Sequence, residues 1–174
     1  MNQRILTTPR FSVEHRVYVR PDGKTFERDV VVHPGAVVIL PVLDDGRIVL
    51  IRNFRHTVEQ ELWELPAGTR EPDETPLETA HRELEEETGY RAQTMTPLIE
   101  FFASPGVMTE RMFVFLGRGL TFVGQRLEPG EQIRVQPLAP IEARRMMLSN
   151  ELQDAKTLAA LGTYFLRELV GTTG

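Results

Sequence analysis

The longest unbroken apolar run, AVVILPVL over residues 36–43, has none of the alternation of a half-buried strand. It predicts a strand covered on both faces. Asp44-Asp45-Gly46 then turns the chain into RIVLIRNF (47–54), whose alternation predicts a partner strand. Before this pair, residues 14–20 and 24–32 read as two strands joined by Pro21-Asp22-Gly23, a strong hairpin signal. A two-stranded unit is too small to be stable alone, so it must pack on the main domain or on a second chain. Leu62-Trp63-Glu64-Leu65 predicts a short strand leading into Pro66-Ala67-Gly68.

The helical signals are sharper. Thr75 and Glu78 form a capping box, Pro76 sits in the first turn and Gly89 suits a left-handed cap, which together predict a helix from Pro76 to Thr88. Leu77, Ala80 and Leu84 share one side at core-facing spacing. Strands follow over 94–102 and 111–117 around a Ser104-Pro105-Gly106 loop, then a loop-like stretch (118–130) and a last strand from Glu131 to Pro137. Two helices close the chain, Ile141–Leu148 and Asp154–Leu169. In the second, Asp154 is the N-cap and Leu158, Leu161, Phe165 and Leu169 form the core stripe. Strands interleaved with helices predict an α/β protein, a three-layer α/β/α sandwich with a mixed sheet. The division expected is an N-terminal antiparallel hairpin element over 1–33 and a main domain over 34–174.

Composition narrows the function. A length of 174 residues supports one domain with a real core. The absence of cysteine excludes disulfides, thiolate nucleophiles and thiolate zinc sites. A net charge of −5 argues against nucleic acid as a partner. No segment reaches the ~20 apolar residues that span a bilayer, and MNQRILTTPR has no hydrophobic signal region, so no membrane partner and a cytoplasmic address are expected. The four histidines (His15, His33, His56, His81) have no metal-ligand spacing.

The predicted helix 76–88 carries the chemistry. Glu83, Glu85, Glu86 and Glu87 crowd into five residues, unfavourable unless a cation shares them. Glu83, Glu86 and Glu87 lie three and four apart, so their carboxylates can converge, whereas Glu85 points elsewhere into solvent. Arg82, four residues from both Glu78 and Glu86, can brace the cluster. A divalent cation bound to a diphosphate would suit such a patch, since Mg2+ prefers oxygen ligands.

The segment 68–90 resembles the Nudix box. Gly68, Glu74, Arg82, Glu83, Leu84, Glu86, Glu87 and Gly89 all fall in its register, with Tyr90 at the last apolar position. The resemblance implies the Nudix fold and Mg2+-dependent hydrolysis of a nucleoside diphosphate linked to another moiety, with Mn2+ able to substitute. It implies Glu83, Glu87 and the Ala67 carbonyl as metal ligands, Glu86 as ligand or orienting group, and Glu74 as a support of the loop. Glu131 matches the position of a loop glutamate near the metals, the expected general base, with Glu110 and Glu128 as runners-up.

Three features outside the box resemble the ADP-ribose pyrophosphatase and nucleoside diphosphate sugar branch: Pro105 fifteen residues beyond the box, the approach Ile51–Arg55 with Glu64–Gly68, and the N-terminal hairpin. They imply a homodimer and hydrolysis of ADP-ribose to AMP and ribose 5-phosphate. Arg55 would contact phosphate, Phe26 and Phe11 would stack on the purine, Glu27 would accept from its amine, and Ser104 and Gly106 would line the substrate loop. The alternatives are GDP-mannose, FAD or NADH as substrate, or a non-catalytic nucleotide-sensing module.

Overall fold

The structure is a computed structural model that describes residues 2–171. Its central sheet is mixed, in the order β7 (Ala67–Thr69), β4 (Ala36–Pro41), β9 (Arg111–Phe122), β8 (Tyr90–Phe102), with β4 and β9 parallel and the other pairs antiparallel. Every residue of β4 is buried. Val37 and Ile39 join one apolar cluster with Ala80 and Leu84 of helix α1 (Pro76–Thr88), while Val38 and Leu40 join another with Leu161 and Phe165 of helix α3 (Ala155–Leu169). Helices therefore cover both faces of the sheet, and the sandwich has the three layers expected. Helix α2 (Pro140–Leu148) adds Ala143 and Met146 to the second cluster.

A second sheet, β10 (Ile133–Leu138), β5 (Ile48–Arg55), β6 (Gln60–Glu64), is antiparallel throughout. Strand β5 is not the partner that alternation suggested for β4. The two meet in a single bridge, Val42 to Ile48, and Ile48–Ile51 are all buried, because β5 is covered on both faces. The hairpin β2 (Ser12–Val19) and β3 (Thr25–Val32) is present, and β1 (Gln3–Thr7) extends it to three strands. Strand β1 is exposed along its whole length, so no buried face imposes the alternation that would have marked it, and its register shifts between Arg4 and Leu6. This sheet meets the main domain where Val31 exchanges hydrogen bonds with Val107 and Thr109.

Strands β8 and β9 run longer than their apolar cores, pairing from Tyr90–Phe122 to Phe102–Arg111. Much of 118–122, expected as loop, is ladder. Two core assignments fail: Leu77 and Leu169 are exposed, Leu77 in the first turn of α1, where it borders an open surface pocket with Phe113 and Phe115 of β9, and Leu169 at the last position of α3.

Candidate active site

Local chemistry fixes α1. Thr75 Oγ1 accepts from Glu78 N at 3.3 Å and Glu78 Oε2 accepts from Thr75 N at 2.8 Å, closing the capping box. Gly89 takes φ 74° and donates to Glu85 O, and a Cβ there would lie 2.7 Å from Gln125 N. Glycine alone meets both demands. Gly68 is required for a different reason: a Cβ would sit 1.9 Å from the Glu83 carboxylate. Its absence lets β7 lie directly against that carboxylate. One residue earlier, Ala67 N donates to Glu87 Oε2 at 2.8 Å.

Glu83 and Glu87 are both buried. Burial pushes Glu83 up to about 7, with Arg82 opposing the shift and Glu86 and Glu131 adding to it. Burial pushes Glu87 well above the usual carboxylate range; the Ala67 N–H eases this, and Glu83 and Glu131 worsen it. Two neighbouring buried carboxylates without enough positive charge are what a bound cation would relieve. The donor set is all oxygen, which fits Mg2+ or Mn2+.

Arg82 organises the rest. It grips Glu74 through Nε and Nη2 at 2.8 and 2.9 Å, and its Nη1 reaches Glu83 at 2.7 Å and Glu86 at 3.0 Å. That fork holds Glu74 down at about 2. Glu78 belongs to the helix cap instead of pairing with Arg82. One nitrogen of Arg82, Nη1, draws the Glu83 and Glu86 carboxylates together, and Glu87 is close enough to Glu83 for their charges to repel. Among the described residues no group of three His, Cys, Asp or Glu is gathered as a ready metal cluster. Glu85 is no solvated bystander: it pairs with Arg91 at 2.6 Å and Arg126 at 3.4 Å, which hold its carboxyl below the usual range.

A cleft of about 360 Å³ opens over these groups and brings Arg55, Ala67, Arg82, Glu83, Glu87 and Glu131 together. Glu131 Oε2 accepts from Glu128 N at 2.8 Å, which fixes the loop, and Glu128 lines the same cleft. A second cleft of about 350 Å³ shares Arg55 and Ala67–Thr69 as its wall and contains Glu110, so this runner-up lies on the far side. Arg55, the expected phosphate contact, lines both clefts and is itself held from behind. It pairs through Nε and Nη2 with Glu64, which is buried and also takes Lys156 Nζ at 2.6 Å. Nη1 remains for the clefts.

The other expected substrate contacts lie elsewhere. Phe26 stacks on Tyr18 at 5.2 Å and lines, with Gly106, a groove of about 290 Å³ that shares no residue with the carboxylate cleft. Glu27 is exposed beside His15, Phe11 sits after the β1–β2 turn, and Ser104 gives its carbonyl to the N–H groups of Val107 and Met108. Sequence reasoning missed Arg10, Glu64 and Lys156. Tertiary packing alone places them, though a glutamate inside the apolar stretch Leu62–Leu65 was a signal for Glu64, since a buried charge needs a partner.

Comparison with known proteins supplies a frame for this geometry. The NUDIX domain family matches residues 32–161. An ADP-ribose pyrophosphatase of Bacillus subtilis (strain 168) is 40% identical over 85% of this chain and 81% of its own length. An ADP-ribose pyrophosphatase of Mycobacterium tuberculosis is 37% identical over 81% of this chain and 70% of its own. The crystal structure of an ADP compounds hydrolase superimposes with a TM-score of 0.84 at 22% identity, covering 100% of this chain and 94% of that one, and so shares the fold.

Proposed function

The chain belongs to the NUDIX domain family, and from that premise we propose that it is an Mg2+-dependent hydrolase cleaving the diphosphate of ADP-ribose to AMP and ribose 5-phosphate, with Mn2+ able to substitute. One observation carries the reading: Glu83 and Glu87, buried and undercompensated against Ala67–Gly68, face the same cleft as Glu131. Glu83, Glu87 and the Ala67 carbonyl would hold the cation, with Glu86 joining or orienting them. When bound, the cation neutralises the diphosphate and acidifies the attacking water. Glu131 takes the proton as water attacks phosphorus and the bridging P–O bond breaks. Arg82 keeps Glu83 and Glu86 in place, and Arg55, clamped by Glu64, turns Nη1 to a phosphate oxygen.

ADP-ribose as substrate rests on the two pyrophosphatases at 40% and 37% identity. The N-terminal sheet exposes Ile5, Leu6, Val19 and Phe26, and we assign to it a homodimer contact. Phe26, Glu27, Phe11, Ser104 and Gly106, outside their own chain's cleft, then serve the purine side across that contact. This treats residues 1–33 as a dimerisation element and 34–174 as the hydrolase domain. Among the described residues no helix is long and apolar enough to cross a membrane, and we place the reaction in the cytoplasm. The test is a panel of ADP-ribose, GDP-mannose, FAD and NADH with Mg2+, Mn2+ or EDTA, products resolved by chromatography. ADP-ribose should be the best substrate and EDTA should abolish turnover; full activity in EDTA, or faster GDP-mannose cleavage, would overturn the assignment.

A further inference from the structure

The carboxylate cleft is lined by four arginines: Arg10, Arg55, Arg70 and Arg82. Three are committed. Arg82 is spent on Glu74, Glu83 and Glu86. Arg55 is forked onto Glu64. Arg70 donates to the carbonyls of Pro34 and Glu74 at 3.3 and 2.7 Å. Of these four, Arg10 alone has its guanidinium without a hydrogen-bond or ion-pair partner among the described residues; only its backbone N–H is engaged, by Thr8 Oγ1. Yet it comes from outside the main domain, from the turn between β1 and β2.

The backbone of that turn is fixed. Thr8 Oγ1 donates to Phe11 O at 2.8 Å and accepts from Phe11 N at 3.0 Å, while Thr8 N donates to Phe11 O at 2.9 Å. Pro9 fixes the residue before Arg10 and itself touches the cleft. A free, fork-shaped cation on a stiff turn, facing a cleft that takes a diphosphate, is arranged for phosphate oxygens.

We propose that Arg10 is a substrate-positioning residue, whose guanidinium binds the substrate's diphosphate and makes the N-terminal sheet a wall of its own chain's active cleft. This rests on the reading of the cleft as a diphosphate site, not on which nucleoside the diphosphate carries. The contact exists before any bond changes, so it contributes equally to ground and transition states.

The probe is α,β-methylene-ADP, a non-cleavable diphosphate, titrated calorimetrically into the full chain with Mn2+, alongside steady-state kinetics. Arg10→Ala should weaken the probe about tenfold and raise KM about as much with kcat nearly unchanged, the size of one exposed charge-assisted bond. Arg10→Lys should recover part of the loss, and Lys24→Ala, in the turn at the other end of β2, should change nothing. Unchanged probe affinity in Arg10→Ala would overturn the proposal. So would tighter Mn2+ binding with unchanged probe affinity, the mark of a residue that only neutralises the acidic rim. Failure of ADP-ribose turnover by the wild type, with Arg10-dependent probe binding intact, would instead remove the substrate assignment alone.

Discussion

The buried carboxylate at Glu83 makes a quantitative prediction for the metal-free protein. Its ordinary value of 4.5 is pushed up to about 7, a difference worth about 3 kcal/mol at ~1.4 kcal/mol per unit. The sign follows from proton counting. Between pH 4.5 and about 7 the folded state keeps a proton that the unfolded chain releases, so stability falls as pH rises through that window and is level above it. Glu83→Gln removes the titration but keeps the volume. In EDTA the variant should match wild type near pH 5 and exceed it by about 3 kcal/mol at pH 8, an upper figure because Glu87 shares the titration. For a chain of this size that is roughly 6–12 °C in Tm, readable by circular dichroism melts. Saturating Mn2+ should reverse the order, since a ligand that binds only the folded wild type stabilises it by mass action. Glu85→Gln is the opposite control: Arg91 and Arg126 hold Glu85 down, so that variant should lose stability at pH 7 relative to pH 3. Parallel pH profiles for wild type and Glu83→Gln in EDTA would refute the account of an undercompensated site.

Glu131→Gln should lower kcat at least about a hundredfold with KM nearly unchanged, as loss of a general base does; steady-state rates equal to wild type would pass the role to Glu128, Glu110 or Glu86. Removing residues 1–32 should turn a dimer into a monomer by analytical ultracentrifugation, because the sheet that exposes Ile5 and Val19 is gone; a full-length chain already monomeric at micromolar concentration would end the dimer assignment.

What could be read from sequence was local. Thr75, Glu78 and Gly89 act on backbone groups within one turn of themselves, so α1 ends where they say. Strand β4 is legible because burial on both faces leaves an unbroken apolar run. The failures share a cause. Glu85 was given to solvent because helix spacing says nothing of Arg91 and Arg126, which return from β8 and from the segment after β9. Leu77 was given to the core because a helix stripe does not report that its first turn borders a pocket open to solvent. The ladder between β8 and β9 outruns its apolar residues because an exposed ribbon is held by backbone pairing that carries no side-chain pattern. For the site, the box supplied Arg82, Glu83 and Glu87, whereas the pairing of Arg55 with Glu64 and the arrival of Arg10 depend on tertiary placement.

Glu64 also bears on how the molecule comes together. Its carboxylate is compensated by Arg55 from the adjacent strand and by Lys156, 92 positions away, and Leu65 N is satisfied by Thr157 across the same span. A nascent chain therefore carries the whole glutamate helix long before the cation and hydroxyl that finish the neighbouring wall have been synthesised. Contacts of such separation incur their loop-closure entropy before they return any energy. The wall behind Arg55 is complete only once the C-terminal helix has docked.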